Sequence, residues 1–107
     1  MRALAIVALC ASPSASLAEY YTEVLATWGE CVKVQTAASL SDDQTEPEQI
    51  ATAVLASCAA EQEAVRLAVI EDARDDPEGR VEQLRDGFRE GIVARVIESR
   101  AHGEPPN

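Results

Sequence analysis

Two cysteines, Cys31 and Cys58, are the residues whose type and spacing point most directly to chemistry. The chain contains 3 cysteines, and the third, Cys10, falls in an N-terminal stretch that we expect to be removed. A balanced pair of cysteines in an exported protein predicts a single structural disulfide. A redox-active pair more often has the Cys-x-x-Cys spacing, whereas a long run of sequence separates these two. We therefore predict a structural bond between Cys31 and Cys58.

The remaining residues that carry chemistry form no catalytic grouping. His102 is the single histidine, and its place near the C-terminus gives a histidine-dependent triad or metal site no foundation. The sequence has no glycine-rich phosphate loop and no His-Glu-x-x-His motif. Carboxylate pairs such as Glu61 and Glu63 are too common here to be specific. We expect a protein that is not an enzyme, with no catalytic residues, no metal and no cofactor.

Residues 1–18 have the pattern of a secretory signal peptide. Met1-Arg2 gives a short positive start, residues 3–11 are apolar, and Ser16-Leu17-Ala18 offers the small residues that signal peptidase requires. The stretch 12–16, with its serines and proline, is expected to interrupt any helix. The apolar run is too short to span a bilayer, which takes about 20 residues. A lipoprotein signal is the alternative, but Leu9 rather than a small residue precedes Cys10.

Cleavage after Ala18 would leave a strongly acidic protein in the periplasm or outside the cell. The whole chain carries 9 Lys+Arg and 19 Asp+Glu, a net charge of −10. With Arg2 removed, 8 basic residues against 19 acidic ones give −11. Nucleic acid and anionic membranes would be repelled, so neither is expected as a partner, whereas a basic protein fits. The simpler explanation is that the charge keeps a small exported protein soluble.

Hydrophobic periodicity predicts a helical hairpin. In residues 19–40 the apolar positions recur every three or four residues, with Trp28 expected as a buried anchor beside Cys31. A polar loop follows, in which Thr45 and Glu48 have the spacing of a capping box. A second helix is predicted over about residues 48–74. Because the two cysteines lie at similar distances from the loop, antiparallel helices would place them at the same height.

A third helix is predicted over about residues 77–101, and it carries two informative glycines. Gly87 and Gly91 together lower the helix propensity by about 2 kcal/mol. They are one turn apart and Ala94 follows, so another backbone can come close at this face. That backbone belongs either to the protein's own hairpin or to a partner, at a groove or a self-association face that would give a homodimer.

The predicted fold class is therefore all-α: a disulfide-stapled antiparallel helical hairpin plus a third helix. We expect one domain over residues 19–102, with Gly103 ending the last helix and residues 103–107 forming a disordered tail. The acidic loop between the first two helices is a weak candidate for Ca²⁺, because the ligand spacing of a calcium loop is absent.

The arrangement Trp28-x-x-Cys31 … Cys58-x-x-Glu61 after a signal peptide resembles a set of small exported helical proteins of Gram-negative bacteria. The resemblance implies a periplasmic disulfide hairpin and no activity. The sequence also has a fainter similarity to lysozyme-inhibitor-like helical proteins, but it lacks their additional cysteines and their Leu-Asn-x-x-Tyr segment. The leading hypothesis is a non-catalytic exported protein that acts through protein–protein contacts. The alternative is an acidic inhibitor of a basic cell-wall enzyme, and a third hypothesis is weak divalent-cation buffering.

Overall fold

A computed structural model describes residues 13–71 and 76–103, and within these ranges the chain is helical and has no strand. The all-α prediction is confirmed at this level. The four helices described are α1 (Pro13–Ser39), α2 (Pro47–Ser57), α3 (Ala59–Glu71) and α4 (Pro77–His102). Residues 1–12 of the expected signal peptide and residues 104–107 of the expected tail lie outside the described residues, as do residues 72–75.

The predicted second helix is in fact two helices, so the three-helix prediction is wrong at this point. The break is at Cys58, whose φ of −106° and ψ of 25° depart from helical values. Its N–H is shared between the carbonyl oxygens of Val54 and Leu55, each 3.2 Å away. Because α2 packs chiefly against α4 and α3 chiefly against α1, the bend lets each half follow a different neighbour.

The first helix starts earlier than the sequence predicts. α1 begins at Pro13, inside the stretch that was expected to interrupt a helix, and it continues beyond Ala18. Proline has no backbone N–H and a fixed φ, both of which suit the first turn of a helix, so here it starts the helix. The expected cleavage point after Ala18 therefore lies within α1.

Asp42 organises the loop between α1 and α2. Its carboxylate accepts hydrogen bonds from the backbone N–H groups of Gln44 at 2.9 Å and Thr45 at 3.0 Å, and from the Thr45 hydroxyl at 2.6 Å. The hydroxyl bond is the largest of the effects that lower the pKa of Asp42 below its ordinary value. The predicted Thr45–Glu48 capping box is wrong, because the threonine hydroxyl is directed to Asp42 and Glu46 takes the N-cap position.

Arg100 fastens the end of α4 to this loop. Its guanidinium donates to the carbonyl oxygen of Asp42 at 2.9 Å and to that of Thr45 at 2.6 Å. The arginine thus occupies two of the oxygens that a bound cation would need. This contact counts against the loop as a calcium site.

The caps predicted for α4 are confirmed. The Asp76 carboxylate accepts a hydrogen bond from the N–H of Gly79 at 3.1 Å, and Pro77 stands in the first turn. A side chain at position 79 would overlap the Asp76 carboxylate, so the cap depends on this glycine. Gly103 ends the helix with a φ of 62°, a left-handed conformation that glycine adopts without a steric penalty.

The hydrophobic core lies where the four helices meet. Trp28, predicted as a buried anchor, has no exposed surface. Several large apolar residues lie outside this core, among them Val34 and Ile97, which are 52% and 54% exposed. The largest fully buried side chains are Trp28, Val54, Val65, Val69, Val96 and Cys58.

Candidate functional site

The predicted disulfide between Cys31 and Cys58 is present. It joins the middle of α1 to the bend between α2 and α3, with a Cα–Cα distance of 6.0 Å. Cys58 is fully buried and Cys31 is half-buried. The hairpin geometry inferred from the loop position is therefore confirmed, and the bond fastens the two segments at the point where the second one bends.

An open groove runs between α1 and α4. It has a volume of about 380 Å³ and faces solvent. Two apolar residues at its base, Val32 and Ile92, are also part of the core. The full lining consists of Gly29, Val32, Lys33, Thr36, Ala37, Gly87, Phe88, Gly91, Ile92 and Arg95.

Gly87 and Gly91 leave space in this groove. A Cβ atom built on either residue meets no other atom within 4 Å, and both residues are exposed, as is Ala94 one turn further on. Close packing against the protein's own hairpin, one of the two alternatives at the sequence level, therefore does not occur at these glycines. At Gly29 a Cβ would lie 3.8 Å from the Phe88 ring, which is an ordinary van der Waals contact.

The wall of the groove is held in place by two aromatic rings. Phe88, which lines the groove, meets Trp28 edge to face with a centroid distance of 4.8 Å and an interplanar angle of 67°. Trp28 lies behind Phe88 and has no exposed surface, so it offers no platform for a ligand. Its indole Nε1 is buried and has no hydrogen-bond partner in the described part of the chain.

The charges of the groove differ in sign from those of the protein as a whole. The chain has a net charge of −10, yet the charged residues among the described lining are Lys33 and Arg95, with no carboxylate. Lys33, which is exposed, is also the single lysine of the sequence. Because opposite charges attract most strongly over short distances, this surface favours an anionic group.

One face of α4 carries a row of acidic residues spaced by four positions; this spacing predicts a solvated face, and all the residues of the row are exposed. The exposed row comprises Glu78, Glu82, Asp86 and Glu90.

Two contacts between helices were not indicated by the sequence. Arg89 donates to the Glu48 carboxylate at 3.3 Å and to the Thr52 hydroxyl at 3.2 Å, so it joins α4 to α2. Arg66 of α3 lies 3.3 Å from the Glu78 carboxylate.

A further group of potential ligands surrounds the disulfide. The Sγ atoms of Cys31 and Cys58 and a carboxylate oxygen of Glu61 all lie within 4.8 Å of one another, the one such cluster found in the described ranges. Glu61 is half-buried on the first turn of α3. His102 is distant from this group in sequence and exposed at the end of α4.

Comparison of the chain with models of protein families, with characterised proteins and with solved structures finds no match in any of the three. The resemblance to small exported helical proteins therefore stays a prediction. Over the described residues, no helix combines the length and the apolar character needed to cross a membrane. The groove between α1 and α4 is the arrangement on which a functional proposal can be built.

Proposed function

We propose that this protein is a small exported binding protein, not an enzyme, whose groove between α1 and α4 receives a carboxylate-bearing helix of a partner protein. The single observation that carries the proposal is the composition of the groove. Its base is apolar, two of its glycines face open space, and its charged lining residues are cations.

The shape of the groove supports a helix as the occupant. Gly87 and Gly91 lie one turn apart on α4 without side chains to hold a second backbone away. On α1 the lining extends from Gly29 to Ala37, which is about 12 Å at the rise of an α-helix. That length accommodates anchors at positions i, i+4 and i+7 of a docked amphipathic helix.

Charge supports an acidic partner over a second copy of this chain. Lys33, which is exposed, complements carboxylates on a docked helix. In a homodimer formed through this groove, two copies of each cation would enter one interface and repel each other. The overall charge alone had suggested a basic partner, but the local charge of the groove favours the opposite sign.

Export is part of the same proposal. It rests on the signal-peptide pattern of residues 1–18. A disulfide in a small domain is typical of oxidising compartments such as the periplasm or the extracellular space. The proposal is thus a periplasmic or secreted protein whose staple keeps α1 in register with α2 and α3, so that the groove has a fixed shape.

A second candidate function is inhibition of a basic cell-wall enzyme. The exposed acidic row of α4 is the observation that favours it, because Glu82, Asp86 and Glu90 face solvent and would attract a cationic enzyme. A lysozyme activity assay at low ionic strength tests it. Inhibition that disappears when the row is neutralised would support this function, and full lysozyme activity in excess protein would remove it.

The leading proposal is tested by blocking the groove. The oxidised protein without residues 1–18 would serve as bait in an extract of its own host, beside the variants Gly91→Leu and Ala56→Leu. Ala56 is exposed on α2 and is absent from the groove lining. We expect one partner with an acidic amphipathic helix to be retained by the wild type and A56L and lost by G91L.

Three outcomes would contradict the proposal. The first is equal retention by all three baits. The second is a wild-type dimer in sedimentation that G91L dissolves, which would make a second copy the occupant. The third is a small amphiphile bound to the wild type, detected by native mass spectrometry.

A further inference from the structure

Glu61 is the acidic residue in the first turn of α3, and its carboxylate has no side-chain partner in the described part of the chain. The residue is half-buried. A carboxylate that is partly removed from water normally has a partner that compensates for the lost hydration. A carboxylate oxygen of Glu61 lies instead within 4.8 Å of the Sγ atoms of Cys31 and Cys58.

We propose that Cys31, Cys58 and Glu61 form a site for zinc or a similar soft divalent cation when the disulfide is reduced. Two thiolates and one carboxylate are ligands that zinc accepts, with bond lengths of about 2.0–2.3 Å. A tetrahedral ion with such bonds holds its ligand atoms roughly 3.3–3.8 Å apart. The Glu61 carboxylate lies within 4.8 Å of both sulfur atoms, reduction would release the two sulfurs from each other, and a water molecule would complete the tetrahedron.

A dithiol can reduce the disulfide between Cys31 and Cys58 and so free both metal ligands. The dithiol transfers two electrons and two protons to the sulfur–sulfur bond and is itself oxidised to a disulfide, which leaves two thiols on this protein. Each thiol then loses a proton as its sulfur binds the metal, and the ionised carboxylate of Glu61 binds without releasing one. The site is therefore interchangeable with the disulfide and cannot coexist with it.

The position of the site gives it a structural consequence. Cys31 lies in α1, whereas Cys58 and Glu61 lie at the bend and on the first turn of α3. A metal bound by all three connects the same two segments as the disulfide does. The fold would thus be fastened in an oxidising compartment by a covalent bond and in a reducing one by a metal ion.

The test is titration of Co²⁺ as a spectroscopic substitute for zinc. The chain would be reduced with a phosphine, freed of reductant without oxygen, and compared with its oxidised form. We expect the reduced protein to bind one Co²⁺ per chain with a thiolate-to-cobalt charge-transfer band, and the oxidised protein to show no such band. We also expect Zn²⁺ to raise the melting temperature of the reduced protein, followed by its helical circular dichroism.

Glu61→Gln is the decisive variant, and Glu82→Gln is its control, because Glu82 is exposed on α4 and loses the same charge. We expect E61Q to weaken Co²⁺ binding by about tenfold or more, since losing even an outer-shell partner of a metal ligand weakens binding by that much, and E82Q to leave it unchanged. The absence of the thiolate band in the reduced wild type, one metal shared by two chains, or equal affinity in E61Q would each overturn the proposal.

Discussion

The ring of Trp28 meets the ring of Phe88 edge to face, with their centroids 4.8 Å apart. This contact joins the core to the groove, because Trp28 has no exposed surface whereas Phe88 also lines the groove. The shape of the proposed binding surface is therefore coupled to the packing of the one tryptophan in the chain. Its fluorescence consequently reports on the groove.

Replacing Phe88 with alanine should destabilise the fold and expose Trp28. Phe88 is only partly buried, so we expect a loss of about 2–3 kcal/mol in the free energy of unfolding, at or below the range for fully buried phenylalanines. The tryptophan emission should shift to longer wavelength as water reaches the ring. Urea denaturation followed by fluorescence measures both effects. The control is Ile97→Ala at an exposed site, with an expected change within about 0.5 kcal/mol; equal effects of the two variants would contradict the coupling.

Removing the disulfide should cost about 3.5 kcal/mol. The sequence separation of Cys31 and Cys58 is 27, and the chain-entropy relation assigns that stabilisation to a loop of this size. The double variant Cys31→Ser with Cys58→Ser should therefore unfold at a markedly lower urea concentration in metal-free buffer. A change below about 1 kcal/mol would mean that the bond is not a structural staple.

The groove glycines should be dispensable for folding. Because a Cβ at Gly87 or Gly91 meets nothing within 4 Å, each Gly→Ala change should raise the free energy of unfolding by about 1 kcal/mol through helix propensity. Gly103→Ala is the matched contrast, since its φ of 62° disfavours any side chain; it should lower stability. Destabilisation by G91A would show that this glycine is needed by the fold itself.

Stability in acid should depend in part on Asp42. Its pKa in the folded protein lies below the ordinary value of 3.8, with the Thr45 hydroxyl as the main cause. As the pH falls below about 4, the unfolded chain therefore binds more protons than the folded one. The contribution of Asp42 to the free energy of unfolding is complete above that pH, and it is lost as the pH falls through the pKa of Asp42 in the folded protein. In the variant Asp42→Asn, the free energy of unfolding should depend less on pH below about pH 4 than it does in the wild type. Charge repulsion among the other carboxylates is common to both proteins, so identical curve shapes would contradict the role of Asp42.

Features with a local cause could be predicted from the sequence. The cap at Asp76 depends on residues within one turn, and the burial of Trp28 follows from the apolar stripe around it. The pairing of Cys31 with Cys58 needed one further step, the antiparallel hairpin. In each case, few alternatives competed for the same groups.

The remaining features depend on tertiary contacts, and the sequence does not show which of several possible partners each group takes. Glu61 and Gln62 interrupt the apolar stripe directly after Cys58, but a polar gap of one turn does not by itself distinguish a bend from a continuous helix. Thr45 had two available partners, and its hydroxyl bonds to Asp42 instead of taking part in the predicted capping box. Arg100 binds carbonyl oxygens 55 and 58 positions earlier in the chain. For the groove, Gly87 and Gly91 gave a signal on α4, but nothing indicated which residues of α1 would face them.

Site-specific photo-cross-linking in the native host would show whether the groove is the surface that binds the partner. A photoreactive residue at Ala37, exposed on the groove lining, would be compared in the native host with one at Ala56 on α2. We expect a cross-link from position 37, and not from position 56, to a helical, carboxylate-bearing segment of another protein. Cross-links only from position 56, or from position 37 only to a second copy of this chain, would show that the groove does not bind such a partner.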